Sequence, residues 1–266
     1  EAVGQGNSSL KRDELLMVGE WAWAGARRPG PTSGGEPRHA MLAGRKVQWD
    51  PPRNVPARDA VANGVPVRLY GPESAQALLF AHGGRFFSGN LESHDAPLKM
   101  LAAAANCRVC AVDYRLAPEH RHPAALDDTL AAGHWLTAQT DNIVIGGDSA
   151  GGYLAALASL ELKPLAQILI YPMLDPAADT ESYREFQQGA WPNGEDMKRG
   201  WELYGGPAVN AELGEFPKTL LITAGIDPLR DEALAFAAGL RARDISVESI
   251  HYADMHHGFF TQTRLT

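Results

Sequence analysis

The sequence predicts an α/β fold, a mostly parallel central sheet with helices on its faces. Two observations carry this reading. From about residue 77 onward, short apolar runs alternate with longer amphipathic stretches, the order in which strands and crossover helices follow one another. The chain is also large enough for such a sheet, since 266 residues at 45% hydrophobic content can bury one large core, alone or with a small appendage.

Taken in order, residues 1–46 hold one helix candidate, from Glu14 to Trp23, followed by the Pro/Gly-rich run Arg28 to Gly35, which no regular element accommodates. From Val47 the pattern changes, so the main domain is placed at 47–266. Residues 65–70 alternate like an exposed strand and 77–81 read as a buried one. Strands are expected at 108–114, 142–146, 166–171, 219–224 and 247–252, with helices at 124–137, 151–160 and 231–243. Residues 175–213 break this rhythm. They are rich in Pro, Gly, Trp and Glu and read as an insertion.

Composition excludes several classes of function. A net charge of −8 argues against nucleic acid or anionic membrane as a partner. The sequence has no apolar run near the roughly 18 residues of a membrane span, so no stable membrane insertion is expected. Cys107 and Cys110 have C-x-x-C spacing, but they enter a strand pattern in which residues three apart face opposite ways, and no second pair completes a metal site. Both read as small buried hydrophobes. So few cysteines favour the cytoplasm.

The chemistry is carried by Gly147-Asp148-Ser149-Ala150-Gly151. The pattern G-x-S-x-G is weak alone. Here an apolar strand precedes it and an Ala/Leu-rich helix follows, which is the strand–turn–helix setting of a nucleophile elbow and points to an α/β-hydrolase fold. The hydroxyl of Ser149 would stand at a helix N-terminus, where backbone N–H groups favour developing negative charge.

His82-Gly83-Gly84-Arg85-Phe86-Phe87 follows directly on the strand at 77–81. Acyl transfer passes through a tetrahedral oxyanion that preorganised N–H donors must meet, each worth about 3 kcal/mol in the transition state. The amides of Gly83, Gly84 and Ala150 are the expected donors, and His82 reads as structural.

In this fold the acid and then the histidine come after the serine in chain order. The histidines downstream are His251, His256 and His257. His251 lies within the last strand pattern. His257 opens the loop after it and is the expected base, with His256 as the alternative. Asp227, ahead of Pro228 in the loop after the strand at 219–224, is the expected acid. Asp231 reads as the N-cap of the next helix.

With these residues in place, the chain resembles the bacterial hormone-sensitive-lipase family of α/β-hydrolase carboxylesterases. The matching blocks are His82-Gly83-Gly84 through Asp95, Val112 to Glu119, Gly147 to Gly152, Tyr171-Pro172, Asp227 to Glu232 and His257-Gly258-Phe259. The resemblance implies hydrolysis of short-chain acyl esters without metal or cofactor. It also implies a small helical cap built from residues 1–46 and the insertion at about 175–213.

The family carries a third glycine where this chain has Arg85. If that position needs a positive φ, arginine strains the turn by roughly 1–2 kcal/mol. Its guanidinium either points into the cleft, favouring a carboxylate or aromatic ring on the substrate, or points harmlessly outward.

The expected activity is therefore that of a serine esterase acting on a small-molecule ester, with aryl esters included in its range. Arg85 and Phe86 are the pocket candidates, and Phe87, Trp21, Trp23, Trp191 and Trp201 are further aromatics of the same kind. An amidase or deacetylase with the same triad is the alternative within catalysis. A non-catalytic receptor on this fold is the alternative outside it, opposed by the presence of His257. A homodimer along the last helix and strand is a further expectation.

Overall fold

The computed structural model describes Pro52, residues 54–188 and residues 192–262. The helix candidate at 14–23, the Pro/Gly run, the N-terminal cap segment and Trp191 lie outside the described residues.

Eight strands form one sheet: β1 (Ala57–Ala62), β2 (Val65–Tyr70), β3 (Gln76–Ala81), β4 (Arg108–Val112), β5 (Asn142–Asp148), β6 (Ala166–Ile170), β7 (Thr219–Ile226) and β8 (Val247–His256). Their order is β1-β2-β4-β3-β5-β6-β7-β8. The β1/β2 and β2/β4 pairs are antiparallel and the others parallel, as expected for a mostly parallel sheet. Strand β1 leaves no signature in the sequence. It is an edge strand with most side chains in solvent, so it shows no apolar alternation. The hairpin to β2 turns at Asn63-Gly64, both at positive φ, the pair such a turn favours.

Helices α1 (Asp95–Ala105), α2 (Ala124–Thr137), α3 (Ala150–Leu162), α4 (Glu181–Glu185), α5 (Gly194–Tyr204) and α6 (Arg230–Ala242) complete the framework. Alternate strand residues feed two cores. Leu79, Cys110, Ile145, Leu169 and Leu221 pack on one face with α2, α3 and α6; Phe80, Val109, Val144, Ile168 and Ile222 pack on the other with α1. Cys107 and Cys110 fall in different cores, both as buried free thiols, and burial pushes the Cys110 thiol up to about 12.

One expected boundary is corrected. Asp231 is not the N-cap of α6. The helix begins at Arg230 with Leu229 as N-cap, because Asp227 Oδ1 accepts the Leu229 N–H at 2.8 Å and starts the turn earlier. Asp231 instead accepts the Ser182 N–H at 2.8 Å, tying α6 to α4.

Between β6 and β7 the described chain forms no strand and contains α4, α5 and a 3-10 turn at Ala211–Leu213. Helix α5 opens on a capping box between Asn193 and Asp196, and buries Met197, Gly200, Trp201 and Tyr204 along one stripe. Among the described residues no helix is long and apolar enough to cross a membrane.

Candidate active site

Strands β3, β5, β7 and β8 end on the same side of the sheet, and the residues singled out in the sequence follow those ends. At the end of β5, Ser149 sits at φ 54° and ψ −120°, a strained conformation for a residue with a side chain. The flanking glycines make the turn feasible. A Cβ on Gly147 would lie 2.2 Å from the Gly151 oxygen, and one on Gly151 would lie 2.0 Å from the Ala81 oxygen.

His257 follows β8 directly, and its backbone N–H donates to the Ile226 carbonyl at 3.2 Å. This bond places its ring between the β5 and β7 ends. Nε2 lies 3.0 Å from Ser149 Oγ, and Nδ1 lies 2.8 Å from Asp227 Oδ2. An aspartate carboxylate only accepts, so Nδ1 carries the proton and Nε2 is left to accept from the serine hydroxyl. All three residues are buried. Tyr171 supports the histidine loop, with its ring 4.5 Å from that of His257 and its hydroxyl accepting the Phe260 N–H at 3.2 Å.

The alternative histidines are placed elsewhere. His256 turns its Nδ1 to the His257 carbonyl at 2.7 Å, and burial lowers its pKa. His251 meets Thr223 Oγ1 at 2.9 Å.

Opposite the serine, the turn after β3 departs from expectation. The Gly83 N–H donates to Asp148 Oδ1 at 2.8 Å, so this amide is committed to structure and is withdrawn as an oxyanion donor. The amides of Gly84 and Ala150 have no hydrogen-bond partner among the described residues, Ala150 being the first residue of α3. Gly84 has φ 135°, and a Cβ there would lie 2.0 Å from the Ser88 oxygen, so no other residue fits the turn.

Asp148 and His94 stand inside the sequence motifs, but no spacing in the sequence marks them as partners. His94 Nε2 lies 3.0 Å from Asp148 Oδ1. Burial would raise the Asp148 pKa, but His94 and the Gly83 N–H outweigh it and hold the carboxyl below its ordinary value. His82 is structural as expected. Its ring stacks on Tyr114 at 4.2 Å, and burial together with the neighbouring His94 lowers its pKa to about 3.

Phe86 is not on a cleft surface. It is fully buried, stacked on Tyr204 at 4.0 Å and flanked by Trp201 and Tyr153, so its place as a pocket residue is withdrawn. Trp201 is core for the same reason. Arg85 has φ 54°, so the strain foreseen for a side chain at that position is present, about 1–2 kcal/mol. Its side chain does not point outward: it is 3% exposed, with Nη1 3.6 Å from Asp196 Oδ1 on α5.

Residues 78–261 match the alpha/beta hydrolase fold family. The chain belongs to that family. The chain is 32% identical over 237 residues to carboxylic ester hydrolase LipN of Mycobacterium tuberculosis, covering 77% of this chain but 63% of the relative, so it spans less than two thirds of that protein's length. It is 29% identical over 255 residues to ethyl acetate hydrolase of Pseudomonas putida, covering 84% of this chain and 80% of the relative. Among solved structures, an esterase from the bacterial hormone-sensitive lipase family superposes with a TM-score of 0.78 at 28% identity, covering 97% of this chain and 94% of that one. The kinship with bacterial hormone-sensitive-lipase-type esterases read from the motifs is borne out.

Proposed function

We propose that this hydrolase is a serine carboxylesterase that cleaves short-chain acyl esters through an acyl-enzyme on Ser149. The observation that carries the reading is the unbroken chain from Ser149 Oγ through His257 to Asp227, with contacts of 3.0 and 2.8 Å. His257 Nε2 takes the Ser149 proton as Oγ attacks the ester carbonyl carbon, and Asp227 stabilises the imidazolium that forms. The amides of Gly84 and Ala150 receive the negative charge on the carbonyl oxygen. Collapse expels the alcohol, which leaves with the proton from His257. Water, deprotonated by the same nitrogen, then attacks the acyl carbon and frees the acid and Ser149.

The names of the relatives support small substrates: an ethyl acetate hydrolase, an arylesterase of Saccharolobus solfataricus and an acetyl esterase of Salmonella choleraesuis. The two buried free thiols fit a reducing cytoplasm. A homodimer would use β8, which forms one edge of the sheet.

A chain-length series of p-nitrophenyl esters, run beside an amide isostere, tests the assignment. Highest kcat/KM for acetate to hexanoate, with the amide at least about a hundredfold slower, is the expected result. Preference for the amide would replace it with an amidase.

A further inference from the structure

The turn that carries the Gly84 amide is built from residues that do not hold its shape by themselves. Arg85 and Phe86 are consecutive non-glycine residues at positive φ, 54° and 66°. Such a conformation persists only where its surroundings over-determine it. Much of what surrounds these two residues is α5, an element of the insertion rather than of the sheet. Tyr204 and Trp201 of α5 take the Phe86 ring, with centroids at 4.0 and 5.1 Å. Gly200 lets the helix backbone close on the turn, since a Cβ there would lie 2.9 Å from both the Cβ and the carbonyl oxygen of Arg85.

The third contact is ionic. Asp196 divides its carboxylate between two tasks. Oδ2 accepts the Asn193 N–H at 3.1 Å and caps α5, while Oδ1 faces Arg85 Nη1 at 3.6 Å. The Arg85 guanidinium also lies over the Phe87 ring, 4.8 Å from its centroid. Burial lowers the Arg85 pKa to about 10, so the group remains a cation at neutral pH.

We propose that Arg85 is a positioning residue: paired with Asp196, it clamps the oxyanion turn to the N-terminus of α5, so that the aim of the Gly84 amide depends on the seat of the insertion helix. A glycine at this position would adopt the backbone conformation without strain but would remove the contact with Asp196 and leave the Phe86 packing alone to seat α5 on the turn. The arginine exchanges local strain for a tie between the insertion and the catalytic turn. This rests on the proposed esterase reading with Ser149 as nucleophile, and fluorophosphonate uptake by the native protein separates the two.

The test measures kcat and KM per active site titrated with a fluorophosphonate, together with the affinity for an alkyl boronic acid, which mimics the tetrahedral adduct. Asp196→Asn is expected to lower kcat roughly tenfold with KM within about twofold, and to weaken boronate binding in step. Asp196→Glu should recover most of the loss. Asn193→Ala, which disturbs the cap and spares the ion pair, should stay within about twofold of native kcat. Gly200→Ala, read if Asp196→Asn fails to fold, should lower kcat by pressing on the turn.

Native kcat in Asp196→Asn, or in Gly200→Ala where that is the variant read, overturns the proposal. So does an equal loss in Asn193→Ala or a change confined to KM. A native protein that takes up no fluorophosphonate overturns the nucleophile assignment as well.

Discussion

The backbone N–H of Gly83 donates to Asp148 Oδ1 at 2.8 Å, so the residue preceding the proposed nucleophile holds the turn that faces it. The same carboxylate oxygen lies 3.0 Å from His94 Nε2. The elbow and the turn opposite it thus share one buried carboxylate oxygen.

Asp148→Ala should therefore cost stability and activity together. Removing the buried carboxylate leaves the Gly83 amide and His94 Nε2 without the oxygen they meet, at a cost of about 1–3 kcal/mol for each orphaned group. Asp148→Asn keeps an acceptor for that amide and should lose less. Urea denaturation of the three proteins gives the order native, Asn variant, Ala variant.

Asp227→Asn should leave the fold intact and remove most of the activity. Asp227 accepts the Leu229 N–H on Oδ1 and meets His257 Nδ1 with Oδ2. An asparagine that keeps the first bond presents an NH2 group to the histidine and favours the wrong tautomer. A fall in kcat of about 10³- to 10⁴-fold, with an unchanged circular dichroism spectrum, is the expected result.

His82 should make the protein acid-labile. Its folded pKa is lowered to about 3, mainly by burial, against an ordinary value of 6.5. Below pH 6.5 the unfolded chain binds a proton that the folded chain refuses, so its contribution is intact above 6.5 and falls as pH drops toward 3. The slope is about 1.4 kcal/mol per pH unit. His82→Phe keeps a ring to stack on Tyr114 and removes the titration. Unfolding free energies measured between pH 6.5 and 4.5 should show a flatter acid limb in that variant than in the native protein.

How much of this was legible follows from where each signal resides. Parallel strands buried on both faces read as apolar runs, which is why the interior of the sheet, β3 through β7, emerged from the sequence. The edge strand β1 did not emerge, because exposure removes the alternation. Ser149, Asp227 and His257 were readable because chain order and strand ends constrain them. The commitment of the Gly83 amide was not readable, since glycines in sequence say where a backbone can approach closely and not which acceptor it meets. Arg85 stood out as a departure, but its direction depended on α5 arriving from more than a hundred residues downstream. Phe86 looked like a pocket residue for the same reason: the aromatics that bury it are distant in the chain.

The most direct test of the central claim is the turnover of p-nitrophenyl butyrate by Ser149→Ala at native protein concentration. A nucleophile assignment to Ser149 predicts kcat below about a thousandth of native, with the circular dichroism spectrum unchanged. Turnover at a tenth of the native rate or more would contradict it.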